Sequence, residues 1–369
     1  MLAVLHTMFD CIAALAWWIL GPILRLMNPR HSLPYATPSR IAPDPRIFPN
    51  YFQNKQGIWL YTYSWWPHNI APKDVKGVVF ICQGVGEHSG RYEGFVNDLC
   101  EKEGYVVFAV DHQGQGKSEG DRKHVERFED YVDDYYLFIT AMYERTLERL
   151  EVDLSAKPRF ILGHSMGGLI TVHVVRRGRD FGVKPEHLPR DEGLRTALFK
   201  TSSDVPNAPH YFEFTGVILS APALQADPKL ATPLMKTLAR ILGTYLPKLG
   251  LDSIPVSTVC NNRQVVELAT QDPLFPAQAM RARWGAEMLV AMGKVQDNLA
   301  AYSEFQALLL VQGLDDKLVV PIGAREFFDA SVCKDKELCL LEGMSHESLN
   351  EVHCEKVRTV ITSWIQKRL

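Results

Sequence analysis

Short, uninterrupted apolar runs recur along the chain, at residues 77–82, 105–110, 160–162, 217–219, 307–311 and 338–341. A further strand-like stretch, with Leu60, Tyr61, Tyr63 and Trp65, occupies residues 57–66. A strand with one face in water alternates apolar and polar positions, whereas a strand buried on both faces is apolar throughout. Between the runs the spacing becomes that of a helix, at residues 92–102, 125–150, 166–177, 323–330 and 351–368. Apolar strands alternating with amphipathic helices predict an α/β protein, a mostly parallel sheet with helices on both faces.

Two segments interrupt the alternation. Residues 182–212 are polar and rich in Pro, Asp and Ser, and are expected to form a surface insertion. Residues 221–300 carry helical patterns without a strand and read as an inserted helical cap. The cap separates a first part of the core, residues 57–220, from a second, residues 301–369. Leu234, Leu238, Ile241, Leu242 and Tyr245 share one helical face in it, and Met288, Leu289 and Met292 follow. Such a stripe is expected to be the cap's own core, the alternative being a surface for an acyl chain or a membrane. Residues 28–56, with Pro34, Pro38, Pro43, Pro45 and Pro49, read as an extended linker.

Composition changes this picture only at the amino terminus. A hydrophobic fraction of 46%, a charged fraction of 22% and a formal net charge of -3 describe an ordinary globular chain with no electrostatic reason to bind nucleic acid. The seven cysteines show no metal-ligand spacing and read as reduced thiols. Residues 1–27, however, are almost wholly apolar, broken by His6 and Asp10. The uninterrupted part, residues 11–24, is shorter than the ~20 residues of a spanning helix. Extending it back puts Asp10 in hydrocarbon at ~2.5–3.5 kcal/mol. Trp17 and Trp18 suit an interface, and neither a basic n-region nor a cleavage site marks a signal peptide. Residues 1–27 are therefore expected to anchor the chain to a membrane, spanning it or lying in its interface. The alternative is a helix packed on the protein's own surface. Arg25, Arg30 and Arg40 follow the segment and no Lys or Arg precedes it, so a spanning anchor would leave the remainder facing the cytosol.

The candidate chemistry begins where the run ending at Leu162 meets Gly163-His164-Ser165-Met166-Gly167 and a helical pattern starts at once. Gly-x-Ser-x-Gly in that context predicts a sharp strand-to-helix turn with the Ser165 hydroxyl exposed as a nucleophile. Gly163 and Gly167 leave room for the turn, and the helix start offers N–H groups to developing negative charge. A serine needs a base, and the base needs an orienting acid. In such a sheet the order is serine, acid, histidine, each past the carboxyl end of a strand. Asp315 and Asp316 follow the run at 307–311, and His346 follows the run at 338–341. His353 falls inside the last helical pattern and is set aside. The backbone N–H of Met166 and that of Val85, in Gln83-Gly84-Val85-Gly86-Glu87-His88, are the candidate donors to an oxyanion. Gly-Val-Gly there lacks the dinucleotide fingerprint, and neither cofactor nor metal is expected.

Further motifs lie at residues 84–92 (Gly-Val-Gly-Glu-His-Ser-Gly-Arg-Tyr), 111–120 (Asp-His-Gln-Gly-Gln-Gly-Lys-Ser-Glu-Gly), 312–316 (Gln-Gly-Leu-Asp-Asp) and 342–346 (Glu-Gly-Met-Ser-His). With Gly163–Gly168 they resemble an α/β-hydrolase of the monoglyceride lipase and lysophospholipase type, related to the serine aminopeptidase-like hydrolases. The resemblance implies the α/β-hydrolase fold, a Ser165–Asp316–His346 triad and hydrolysis of a lipid ester through an acyl-enzyme. It selects Asp316 over Asp315, because the family's acid follows Gln-Gly by two residues. It implies that Arg91 touches the substrate's alcohol, and residues 111–120 are expected to hold a structural loop beside the oxyanion loop rather than to do chemistry. The chain departs from the family at Gln83, where His is usual, and at Val265, Ala269 and Leu349, which are polar in members specialised for monoglycerides. An apolar alcohol pocket weakens the case for glycerol, since a buried hydroxyl without a partner costs ~1–3 kcal/mol. Lysophospholipase, carboxylesterase, thioesterase, acyltransferase and peptidase activities share the same acyl-transfer chemistry. A catalytically inactive membrane scaffold is the non-enzyme alternative, and a degraded triad would be its signature.

Overall fold

The apolar runs become strands of one eight-stranded sheet, all in its interior except the last, 338–341, which lies in the partly exposed edge strand. A computed structural model describes residues 50–201, 210–227, 231–251, 253–275 and 279–369. The strands, in chain order, are β1 (Tyr51–Gln53), β2 (Trp59–Trp65), β3 (Val78–Cys82), β4 (Val106–Val110), β5 (Arg159–His164), β6 (Lys200–Thr201), β7 (His210–Tyr211), β8 (Gly216–Ser220), β9 (Ala307–Gly313) and β10 (Asp335–Leu341). The large sheet runs β1-β2-β4-β3-β5-β8-β9-β10, with β6 and β7 paired apart from it. All its pairings are parallel except β1–β2 and β2–β4. Strands β3, β4, β8 and β9 are buried along their whole length, as runs with helices on both faces must be. The mostly parallel sheet expected from the sequence is what forms.

Helices α1 (Glu93–Asn97), α2 (Phe128–Leu150), α3 (Met166–Arg176) and α4 (Glu192–Leu198) belong to the first part of the core. Helix α2 begins three residues later than its periodicity suggests, where Asp130 accepts the Arg127 N–H (3.2 Å). Helices α5 (Pro233–Tyr245), α6 (Val256–Val259), α7 (Arg263–Gln271) and α8 (Ala282–Asp297) follow β8 without a strand of the large sheet among them. Then come α9 (Leu299–Tyr302), α10 (Pro321–Ala330) and α11 (Cys354–Gln366). Helix α5 lies against α8 so closely that a Cβ at Gly243 would stand 2.7 Å from that of Ala286.

Three expectations change. The end of the presumed linker pairs antiparallel with β2 as strand β1, and Asn54 beyond it donates to Asp134 (3.0 Å). Of the expected insertion, the described residues 182–201 and 210–212 are more than a surface excursion. Leu194, Leu198, Phe199 and Phe212 are buried in the main hydrophobic cluster. Their few apolar side chains are hidden in the sequence by a polar majority. In the cap, Met288 is buried, but Leu234, Leu238 and Ile241 are exposed, so that part of the stripe is not the cap's interior. The expected anchor, residues 1–27, lies outside the described residues. Among the described residues no helix is long and apolar enough to cross a membrane.

Candidate active site

Ser165 occupies the single position between β5 and α3, with φ 54° and ψ −121°. That conformation costs a non-glycine residue on the order of 1–3 kcal/mol and survives only where its surroundings enforce it. Here the Ser165 N–H donates to Ser220 O (3.0 Å), and the Ser165 carbonyl accepts from Gly168 and Ala223 (3.0 Å each). Both flanking glycines are sterically required. A Cβ at Gly167 would fall 1.9 Å from Cys82 O, and one at Gly163 would fall 2.4 Å from Thr171 Oγ1. The Met166 N–H is the first of α3 and has no acceptor within the helix.

The loop after β9 brings Asp316 to His346. The carboxylate is buried and accepts four N–H groups: His346 Nδ1 (2.8 Å) and Gln312 Nε2 (3.0 Å) at Oδ2, and Leu318 and Val319 backbone N–H (2.9 Å each) at Oδ1. Burial would raise its pKa, but the His346 ring and the two backbone donors outweigh burial and hold it below the ordinary value. A carboxylate can only accept, so the His346 proton sits on Nδ1 and leaves Nε2 as the basic nitrogen. Asp315 is exposed, as is His353 at the cap of α11. The ring of His164 packs on that of His346 (centroids 4.9 Å apart) with its Nδ1 3.1 Å from Ser220 O. Burial, then the neighbouring His346, push the His164 pKa down, so it stays neutral.

The loop after β3 is tied at every residue except the one singled out in the sequence. Gly84 N–H donates to Glu87 Oε1 (2.6 Å) and Gly86 N–H to Gln115 Oε1 (2.6 Å), on either side of Val85. Gln83, where the family usually has His, donates from Nε2 to Glu87 O (3.0 Å) and accepts from Ser89 Oγ (2.7 Å). Its amide thus supplies the loop support from within the loop. Asp111 accepts from the Ser89 and Lys117 N–H groups (2.7 and 2.8 Å), so residues 111–120 do buttress this loop.

Ser165, His346, His164, Gly84, Val85 and Gly86 line one cavity of about 510 Å³, part of it open to solvent. Ile254, Val259, Phe275, Met280 and Leu318 form its apolar wall, and Glu87, Glu347 and Lys123 its charged one. Arg91, expected to touch the substrate, stands one layer back. It grips both oxygens of Glu347 (3.0 and 2.7 Å) and one of Glu87 (3.1 Å), with Phe275 4.6 Å from its guanidinium carbon. The pair crosses from the loop after β3 to the residue after His346. Although burial disfavours its charge, Arg91 holds the Glu347 carboxyl below its ordinary pKa. Ala269 and Leu349 are buried, Val265 is half-buried, and none of them is in the cavity wall. Sequence reasoning missed Glu347 and Lys123. The first had a signal, an acid directly beside His346; the second is hidden in the charged run Asp121-Arg122-Lys123-His124. Among the described residues no group of three or more His, Cys, Asp or Glu could hold a metal ion.

A sheet in this order, a serine on a strained strand-to-helix turn and a helical cap after β8 define an α/β-hydrolase. More narrowly, the chain belongs to the family described as serine aminopeptidase, S33, whose model matches residues 73–183 and 204–353. It is 29% identical over 343 residues to the monoglyceride lipase of Homo sapiens, covering 92% of this chain and 96% of that protein. It is 28% identical to the monoacylglycerol lipase of Mycolicibacterium smegmatis, covering 86% and 96%. The fold matches the crystal structure of a soluble variant of monoglyceride lipase from Saccharomyces cerevisiae in complex with a substrate analogue. That match has a TM-score of 0.67 and 20% identity, over 89% of this chain and 97% of that one. The chain is an ester hydrolase.

Proposed function

We propose that this enzyme cleaves the acyl ester of a single-chain lipid, of the monoacylglycerol type, through a covalent acyl-enzyme on Ser165. His346 Nε2 takes the Ser165 proton as the hydroxyl oxygen attacks the ester carbonyl, and returns it to the departing alcohol. Asp316 holds the ring and balances the imidazolium. The Val85 and Met166 N–H groups receive the oxyanion. Water, activated by the same histidine, then releases the fatty acid. The observation that carries the proposal is that Ser165, His346 and the Val85 loop share a cavity whose remaining wall is largely apolar. Monoglyceride lipases among the relatives support the same substrate class. Arg91 is assigned to the alcohol side through the two carboxylates it orders, not through direct contact.

Residues 1–27 are proposed to hold the enzyme at a membrane, where such a substrate resides. The exposed Leu234, Leu238 and Ile241 on α5 give the cap an apolar face consistent with that location. The test uses purified protein, a fluorophosphonate probe and a panel of monoacylglycerols, lysophospholipids, acyl-CoAs and short esters. Labelling and turnover are expected for the wild type and neither for Ser165→Ala; labelling that persists in the variant would refute the nucleophile. Flotation with lipid vesicles, with and without residues 1–27, is expected to show loss of binding on truncation. Equal flotation would remove the anchor.

A further inference from the structure

A second cavity, of about 450 Å³ and partly open to solvent, shares no wall residue with the catalytic one. It lies where the cap meets the core. Glu129 and Val132 come from the start of α2, His173 and Arg176 from the end of α3, and Arg177 and Phe181 from the turn that follows. Lys294 comes from the end of the cap helix α8 and Tyr302 from α9. The two parts are joined on either side of it. His173 Nε2 lies 3.2 Å from Ala291 O of α8, and Glu287 of α8 accepts the Phe128 N–H (2.9 Å) at the start of α2.

Arg176, Arg177 and Lys294 line this cavity with a single carboxylate, Glu129. Lys294 pairs with Glu129 (2.5 Å), but both side chains are nearly half exposed, and such a pair is weak and readily exchanged. The other carboxylates nearby are shared. Asp133 serves Arg177 (2.5 Å), Lys184 (2.7 Å) and Lys55 (4.0 Å), the last also meeting Glu186 (2.6 Å). Asp180 serves Arg179 (2.5 Å) and Arg176 (3.4 Å), and Arg179 also meets Glu304 (3.2 Å). Arg177 Nε and Nη2 and Arg176 Nε are buried without a hydrogen-bond partner among the described residues. The Arg176 guanidinium carbon stands 4.1 Å from the ring centre of Tyr302 and 5.5 Å from that of Phe181. Ring contacts of that kind fix a guanidinium without using its donors. His173 adds no charge, because burial pushes its pKa down to about 4. Burial acts to raise Glu129, but Lys294 holds its carboxyl below the ordinary value, so it stays ionised. The wall therefore carries two more positive charges than negative ones.

We infer that this second cavity binds a phosphate group, free or as the monoester of a small alcohol, between Arg176 and Arg177 of the core and Lys294 of the cap. A phosphate monoester carries close to two negative charges at neutral pH, which matches the excess in the wall, and its oxygens suit guanidinium donors. The cavity is of the size that holds a small organic ligand, so an alcohol portion has room beside Val132, Tyr302 and Phe181. A ligand there touches both α3 and α8, and so ties the end of the cap to the core. Nothing in this depends on which ester the catalytic cavity takes.

The experiment is calorimetric titration of the full-length protein, in a neutral detergent at constant ionic strength, with glycerol 3-phosphate, inorganic phosphate and glycerol. Wild type is compared with Lys294→Gln and Glu129→Gln, both at part-exposed positions where the fold tolerates change. Wild type is expected to bind a phosphate probe with a Kd of about 1 mM or below and glycerol not at all. Lys294→Gln should weaken binding about fivefold or more, and Glu129→Gln, which removes the opposing charge and frees Lys294, should tighten it about threefold. Tighter binding of glycerol 3-phosphate assigns the site to a monoester, and equal binding assigns it to free phosphate. Protein treated with excess fluorophosphonate should bind as untreated protein does; binding lost on treatment would place the anion in the catalytic cavity and overturn the inference. Affinities unmoved by either variant would overturn it too. Absence of saturable binding by both phosphates would do the same, and leave the cations as charges that favour helix carboxyl ends.

Discussion

Replacing Asp316 by Asn separates the fold from the chemistry more cleanly than any other change at this site. The native carboxylate accepts two N–H groups at each oxygen. Asparagine offers one oxygen and one NH2 in the same space. The Leu318 and Val319 donors belong to the backbone and cannot turn away, so the amide oxygen takes their side. The NH2 then faces Gln312 and His346. Gln312 can turn its own amide over, since its Oε1 has no hydrogen-bond partner among the described residues, at the expense of its Nε2 bond to Gly313 O (3.1 Å). His346 can respond only by presenting a bare Nδ1, which moves its proton to Nε2. A base that already holds a proton on the working nitrogen cannot take one from Ser165. Stability should fall by only about 1.5–3 kcal/mol, the worth of a hydrogen bond to a charged group. Turnover should fall on the order of 10⁴-fold, as the corresponding change does in serine proteases, or roughly 5 kcal/mol of barrier. The assay is steady-state hydrolysis of a water-soluble short-chain ester at pH 7, with kcat and KM separated and a thermal melt run in parallel. KM should move by no more than a few-fold, and Asp315→Asn, at an exposed position, should behave as wild type. A folded Asp316→Asn enzyme with kcat within about tenfold of wild type would refute the tautomer argument.

Gln83→Leu removes the donor to Glu87 O and the acceptor for Ser89 Oγ at a fully buried position. Expected are a stability loss of about 1–3 kcal/mol and a kcat loss of about tenfold to a hundredfold from a loosened Val85 loop, by melting and ester hydrolysis. An unchanged kcat would mean the loop is held without this amide. Asp134 is buried between the side chains of Asn54 and Gln113, and burial pushes its pKa up to about 8, the two amides offsetting part of the effect. The folded state therefore keeps a proton that the unfolded chain gives up near pH 4, and stability from this group is lost as pH rises from there toward 8. The slope is at most about 1.4 kcal/mol per pH unit. Denaturant titrations should show wild type losing stability relative to Asp134→Asn across that window, and parallel pH profiles would contradict the assignment.

Much of this molecule was readable before any coordinates. An unbroken apolar run reports two buried faces and a 3.6-residue period reports one, so the central strands and the main helices followed from local pattern. The elbow at Ser165 is equally local, because five consecutive residues and the two elements they join set the turn. Asp316 and His346 could be ordered along the chain since each follows a strand, although the choice between Asp315 and Asp316 needed a family resemblance until burial separated them. Other features left no such trace. The strand Tyr51–Gln53 exists because β2 lies beside it, and Phe199 and Phe212 are buried because the main cluster receives them. Arg91 looked like a substrate contact until Glu347, 256 positions away in the chain, was found holding it. Lys123 sits in a run of charges whose pattern carries no sign that the fold lays it beside Gly86. Periodicity records how each residue meets its own element's environment. Which residues stand opposite one another depends on contacts made across hundreds of positions, and those contacts gave this cavity its charges.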